Sequence, residues 1–74
     1  MKPTPVLELL LLGNRLSKLR KAKGLSMEKF AYEASVSKGN VCDIEGGRRN
    51  PRYCTLRSLA SALDISVAQL LNGL

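Results

Sequence analysis

Apolar positions recur along this chain at helical rather than strand spacing. Leu12, Leu16 and Leu19 stand four and three residues apart, one face of a helix, within a segment that runs from Val6 to about Lys23. Pro5 suits the first position of that helix, where a missing N–H costs nothing, and Gly24 ends it. Met1 to Thr4 are expected to form a flexible tail. Leu9, Leu10 and Leu11 exceed what one face can bury, so they predict either a cap on the core or a subunit contact. Next, Ser26 is an N-cap with Glu28 in the first turn. Phe30, Ala31 and Ala34 then share a face. Ser35 and Val36 make a turn, Ser37 caps another short helix that buries Val41 and Ile44, and Gly46 and Gly47 stop it.

The remainder continues the same grammar. Arg48 to Tyr53 reads as a loop in which Pro51 holds Asn50 extended. A fourth helix, about Cys54 to Leu63, turns Leu56, Leu59, Ala60 and Leu63 inward. Asp64 tolerates a left-handed backbone better than most residues. Ser66 and Gln69 form a capping box for a last helix with Val67, Leu70 and Leu71 on its apolar side. No run alternates strictly enough for a sheet. The pattern therefore predicts an all-α, compact five-helix domain covering residues 1–74. Its second and third helices, joined by a tight turn, make a helix-turn-helix.

Composition sharpens this reading. Seventy-four residues form one domain, and so short a chain buries only roughly 60% of its unfolded surface. A 45% hydrophobic content excludes disorder. The net charge of +6 is unevenly placed. Arg15, Lys18, Arg20, Lys21 and Lys23 make one acid-free cluster, and Arg48, Arg49, Arg52 and Arg57 make a second. Two basic clusters flanking a helix-turn-helix suit a polyanionic partner. Cys42 and Cys54 lack metal-ligand spacing and the chain has no histidine, so no metal or other cofactor is expected and the cysteines read as free thiols. Val6 to Leu12 is too short to span a bilayer and lacks a signal-peptide cleavage site. The basic residues do not form the one continuous helical face that a membrane-surface helix needs.

Three stretches, RLSKLRKAKGLS, IEGGRRNP and LASALDISVAQLLNG, stand in order between Leu12 and Gly73. Together with the helix-turn-helix they resemble the Xre-type DNA-binding family. That family includes the lambdoid phage repressors and Cro and the controller proteins of restriction-modification systems. The resemblance implies a lambda-repressor-like fold. It also implies a structural ion pair between Arg20 and Glu45 that ties the first helix to the recognition helix. Relatives often carry Gln at Met27 and glycine at Ser35, so this chain lacks one side-chain phosphate bond and has a turn of different chemistry.

If the second helix of the motif enters a major groove, its outward positions near the N-terminus face base edges. Those are Ser37, Lys38, Asn40 and Asp43. Lys38 suits guanine O6 or N7. Asn40 suits adenine, or a phosphate instead. Asp43 only accepts, from cytosine N4, or else repels the backbone. Phosphate contacts are expected from backbone N–H groups at Ser26 and Met27 and from Arg48, Arg49, Asn50 and Arg52. Lys18, Lys21 and Lys23 read as a solvated face.

Catalysis is excluded, because no base partners a thiol and no phosphate loop or metal set is present. The sequence thus predicts a cytoplasmic, nucleoid-associated transcriptional regulator, a repressor or controller. It would bind double-stranded DNA as a homodimer on an inverted repeat, with no small-molecule ligand. Ile65, Leu70, Leu71 and Leu74, helped by Val6 to Leu11, are the expected subunit surface. The competing reading is a protein-binding module, such as an antitoxin that sequesters a partner, and the leucine-rich N-terminal segment is what supports it.

Overall fold

The computed structural model describes residues 4–74 and contains five helices. They are α1 (Pro5–Ala22), α2 (Met27–Ala34), α3 (Lys38–Glu45), α4 (Tyr53–Ala62) and α5 (Val67–Leu70). Their boundaries follow local chemistry. Ser26, Ser37 and Ser66 each accept a hydrogen bond from the backbone N–H three residues on, at 3.1, 3.0 and 3.0 Å. Gln69 returns a bond to the Ser66 N–H at 2.9 Å, completing the capping box. Ser35 and Asp64 both adopt left-handed backbone, with φ of 58° and 59°. Serine holds that conformation where the resemblance implies glycine, so the tight turn survives the change.

The start of α1 differs from expectation. Thr4, assigned to the tail, is the N-cap: its Oγ1 accepts from the Leu7 N–H at 3.1 Å, with Pro5 as the first helical residue. A threonine before a proline satisfies an otherwise orphaned donor at no cost to the proline. Met1 to Pro3, the rest of that tail, lie outside the described residues.

One core joins all five helices. Leu16, Phe30, Val41, Leu59 and Leu70 are fully buried and Ile44 nearly so. Leu12 and Leu19 are only half-buried, so the α1 stripe is centred on Leu16. Leu70 corrects the expected subunit surface. It fills the core and cannot contact another chain, while Ile65 and Leu71 pack half-buried against it. Arg15 fixes this end of the molecule by donating from Nε to the Leu70 carbonyl at 3.1 Å and from Nη2 to the Gln69 carbonyl at 2.9 Å. Those carbonyls belong to the C-terminal end of α5, where a cation is favoured. The exposed aliphatic side chains cluster on the first turns of α1, at Val6, Leu7, Leu10 and Leu11, with Leu74 exposed as expected; Tyr32 and Tyr53 are exposed apart from them.

Candidate nucleic-acid interface

Helix α3 has two unlike sides. Its inner side holds Val41 and Ile44 in the core and ends on Glu45, whose carboxylate accepts two bonds from Arg20, at 2.7 and 3.1 Å. The same guanidinium donates to the Leu25 carbonyl at 2.8 Å, joining α1, the α1–α2 loop and α3 at one buried point. Only 8% of Arg20 is exposed, so this is a desolvated, two-pronged pair rather than a surface contact. Next to it, α1 and α3 touch through backbone. A Cβ placed on Gly13 would lie 2.4 Å from the Ile44 carbonyl oxygen and 2.5 Å from that of Glu45. Gly47, at φ +73°, meets Leu10 chiefly through its side chain: a Cβ there would lie 2.7 Å from Leu10 Cδ2 and 3.1 Å from its Cα. Two glycines and one ion pair therefore set how α3 sits on α1.

The outer side is polar. Ser37 caps the helix, and Lys38 is exposed and pairs with Glu28 of α2 at 3.0 Å. Nothing lies within 4 Å of a Cβ built on Gly39, so open space flanks that position. Asn40 is half-buried and its Oδ1 is covered with no hydrogen-bond partner. It borders a shallow groove of about 230 Å³ shared with Arg49, Asn50, Pro51, Arg52 and Thr55. Asp43 receives Arg48 Nε at 3.3 Å on one oxygen and Arg49 Nη2 at 3.4 Å on the other. Arg48 Nη2 also donates to the Cys42 carbonyl at 3.1 Å, near the C-terminal end of α3. The groove ends at α4, whose N-cap, Arg52, makes no side-chain capping bond. The first N–H groups of a helix left in that state are ready donors for an anion.

The Helix-turn-helix domain family model matches residues 11–72. This chain belongs to the Xre-type helix-turn-helix family. It is 44% identical over 62 residues to the HTH-type transcriptional regulator DdrOP3 of Deinococcus deserti, a match that covers 84% of this chain and 48% of that protein. The chain thus spans about half the length of that relative. The crystal structure of the restriction-modification controller protein C.AhdI from Aeromonas hydrophila superposes with a TM-score of 0.85 at 39% identity, over 86% of this chain and 97% of the other. The crystal structure of SinR, the master regulator for biofilm formation, in complex with DNA, superposes with a TM-score of 0.78 at 35% identity, over 82% and 98%. Members of this helix-turn-helix family are regulators and not enzymes, and the five-helix arrangement is the lambda-repressor-like fold.

Within the helix-turn-helix frame formed by α2 and α3, the structure brings most of the expected contact residues onto one surface. Asn40 and Asp43 join the loop 48–52 through the contacts just described, Lys38 pairs instead with Glu28 of α2, and Arg48, Arg49, Asn50 and Arg52 are all exposed. Ser26 stands at the exposed start of α2. Met27 is half-buried and packs against the core, so only its backbone remains for a ligand. The first basic cluster separates into two kinds of residue. Arg15 and Arg20 are bound to carbonyls and to Glu45, and Lys23 pairs with Asp64. Lys23 is exposed, as expected of a solvated face, and the turn at Asp64 brings an exposed carboxylate to it. Lys18 and Lys21 remain exposed. Sequence reasoning missed Gly13 and the start of α4. A glycine inside a helix costs about 1 kcal/mol relative to alanine, and that cost was the available sign of a close approach. Cys42 and Cys54 are free thiols. No helix among the described residues is long and apolar enough to cross a membrane.

Proposed function

We propose that this protein is a sequence-specific, double-stranded-DNA-binding transcriptional regulator of the repressor or controller type, working in the cytoplasm. The observation that carries the reading is the division of α3. One side is pinned by Arg20, Gly13 and the core, and the other is a polar surface continuous with an arginine-rich loop. That arrangement supports a rigid rod presented to the major groove, with flanking cations for the backbone. In this reading Ser37, Lys38 and Asp43 face base edges. Asn40, half-buried beside the loop, fits the phosphate alternative better than a reach to adenine. Ser26 and Met27 offer backbone N–H groups to one phosphate stretch, and Arg48, Arg49, Asn50, Arg52 and the start of α4 serve another. That SinR, 35% identical, has been solved in complex with DNA supports the DNA-binding reading.

One recognition helix reads few base pairs, so a homodimer on an inverted repeat is part of the proposal, with half-sites about 34 Å apart. The exposed strip of Val6, Leu7, Leu10 and Leu11 supports a subunit contact on α1 in place of the one expected around Leu70. The same strip also favours the second reading, a surface for a partner protein.

Selection from a random duplex pool tests the assignment directly. The expected product is an inverted repeat recovered by the protein alone. Lys38→Ala is expected to change the recovered half-site, and Arg52→Ala to weaken all sequences alike. Recovery of no consensus, together with a fixed co-purifying partner, would replace this reading with the protein-binding one.

A further inference from the structure

We propose that Asp43 is a selectivity gate on the recognition surface, an inference that rests on the DNA-binding reading above. An acidic side chain on a face meant for a polyanion needs a physical account, and its surroundings supply one. Each carboxylate oxygen holds one arginine, Arg48 at 3.3 Å and Arg49 at 3.4 Å. Arg48 is further steadied by the Cys42 carbonyl at 3.1 Å, and its backbone N–H donates to the Asp43 carbonyl at 2.8 Å.

Gly46 makes room for this arrangement. Its φ of −82° suits any residue, so no turn demands glycine there. A Cβ at Gly46, however, would lie 2.1–2.8 Å from the Arg48 guanidinium. The missing side chain is what lets Arg48 fold back across the last turn of α3 towards Asp43.

The side chains are 57%, 54% and 40% exposed for Arg48, Arg49 and Asp43. Exposed pairs of this kind are weak, and a phosphate carrying a full charge competes well for each guanidinium. On any duplex the two arginines therefore turn to the backbone and leave Asp43 as an unneutralised acceptor at the groove. There it is opposed by phosphate charge, and by guanine O6 and N7 or thymine O4 wherever those face it. The opposition is relieved only where the facing strand offers an amino hydrogen, cytosine N4 or adenine N6. Asp43 thereby lowers affinity for the wrong sites more than for the right one, which is discrimination by a repulsive element.

The test uses the whole chain and the operator recovered from a random pool, alongside a scrambled duplex of equal length. For Asp43→Ala, binding to the scrambled duplex tightens about tenfold, the scale of one removed like charge together with two released arginines. Binding to the operator does not tighten, and a cytosine or adenine preference at one position of each half-site disappears on reselection. Asp43→Asn retains an adenine preference at that position, because its carboxamide pairs with adenine. In an Arg48→Ala background the gain from Asp43→Ala on scrambled DNA shrinks, since one of the released arginines is gone. An Asp43→Ala protein that binds scrambled DNA no tighter than wild type, or that selects an unchanged consensus, overturns the gate while leaving the regulator reading intact. A wild-type protein that binds no duplex at all overturns both.

Discussion

Gly13→Ala puts a methyl group where α1 crosses the end of α3. Alanine is normally the better helix former, by about 1 kcal/mol. Here the new Cβ would stand 2.4 Å from the Ile44 oxygen, 2.5 Å from the Glu45 oxygen and 2.8 Å from the Glu45 carbonyl carbon. All three atoms are backbone, so no side chain can swing aside. Overpacking costs about 1–3 kcal/mol, and a clash with main chain belongs at the upper end. After subtracting the propensity gain, the expected net loss is about 2 kcal/mol. A domain of this size loses roughly 4–8 °C per kcal/mol, so the melting temperature followed by circular dichroism falls by about 8–16 °C. The same exchange at Gly39 is the control. It is also helical, but nothing lies within 4 Å of its Cβ. Gly39→Ala is expected to raise stability by up to about 1 kcal/mol. Opposite signs for one substitution at two helical glycines isolate the crossing as the cause. A Gly13→Ala protein melting at or above wild type would refute the reasoning.

Arg20→Ala leaves Glu45 buried without its partner, and urea unfolding should show a loss of about 3–5 kcal/mol, a large share of the ~5–15 kcal/mol typical of a domain. The Arg20→Met/Glu45→Leu pair should be much milder, since no charge is stranded. Ser66→Ala removes the cap of α5 and is expected to cost about 1 kcal/mol by the same assay. For DNA binding, three or four phosphate contacts per subunit of a dimer give a slope of log K against log salt near −6; fluorescence anisotropy across a salt series measures it, and a slope near zero removes the electrostatic contribution.

What the sequence disclosed follows distance along the chain. Ser26, Ser37 and Ser66 were legible because a cap acts over three residues. The turn at Ser35 was legible because it lies between two periodic segments, and the left-handed backbone at Asp64 because aspartate tolerates it where a helix ends; the left-handed backbone at Ser35 was implied only by the family resemblance. The Arg20–Glu45 pair spans 25 positions and came from family resemblance alone. Arg15 reaches 54 and 55 positions to α5, and nothing in its neighbourhood marks it as structural. It was therefore counted with the surface cations. Leu70 shows the same blindness in reverse: an apolar residue near the end of the chain reads equally as core or contact until the helices are packed. Asp43 was legible as an outward residue, but not as the anchor of two arginines. Its hold on Arg48 uses the empty space over Gly46.

The division of α3 bears on how such a protein can acquire new targets. Val41, Ile44 and Glu45 form its foundation, while Lys38, Gly39 and Asp43 support no core packing. Letters on the outer face can be rewritten by point mutation while the scaffold keeps its shape. A duplicated gene can therefore drift to a new operator without first passing through an unfolded protein.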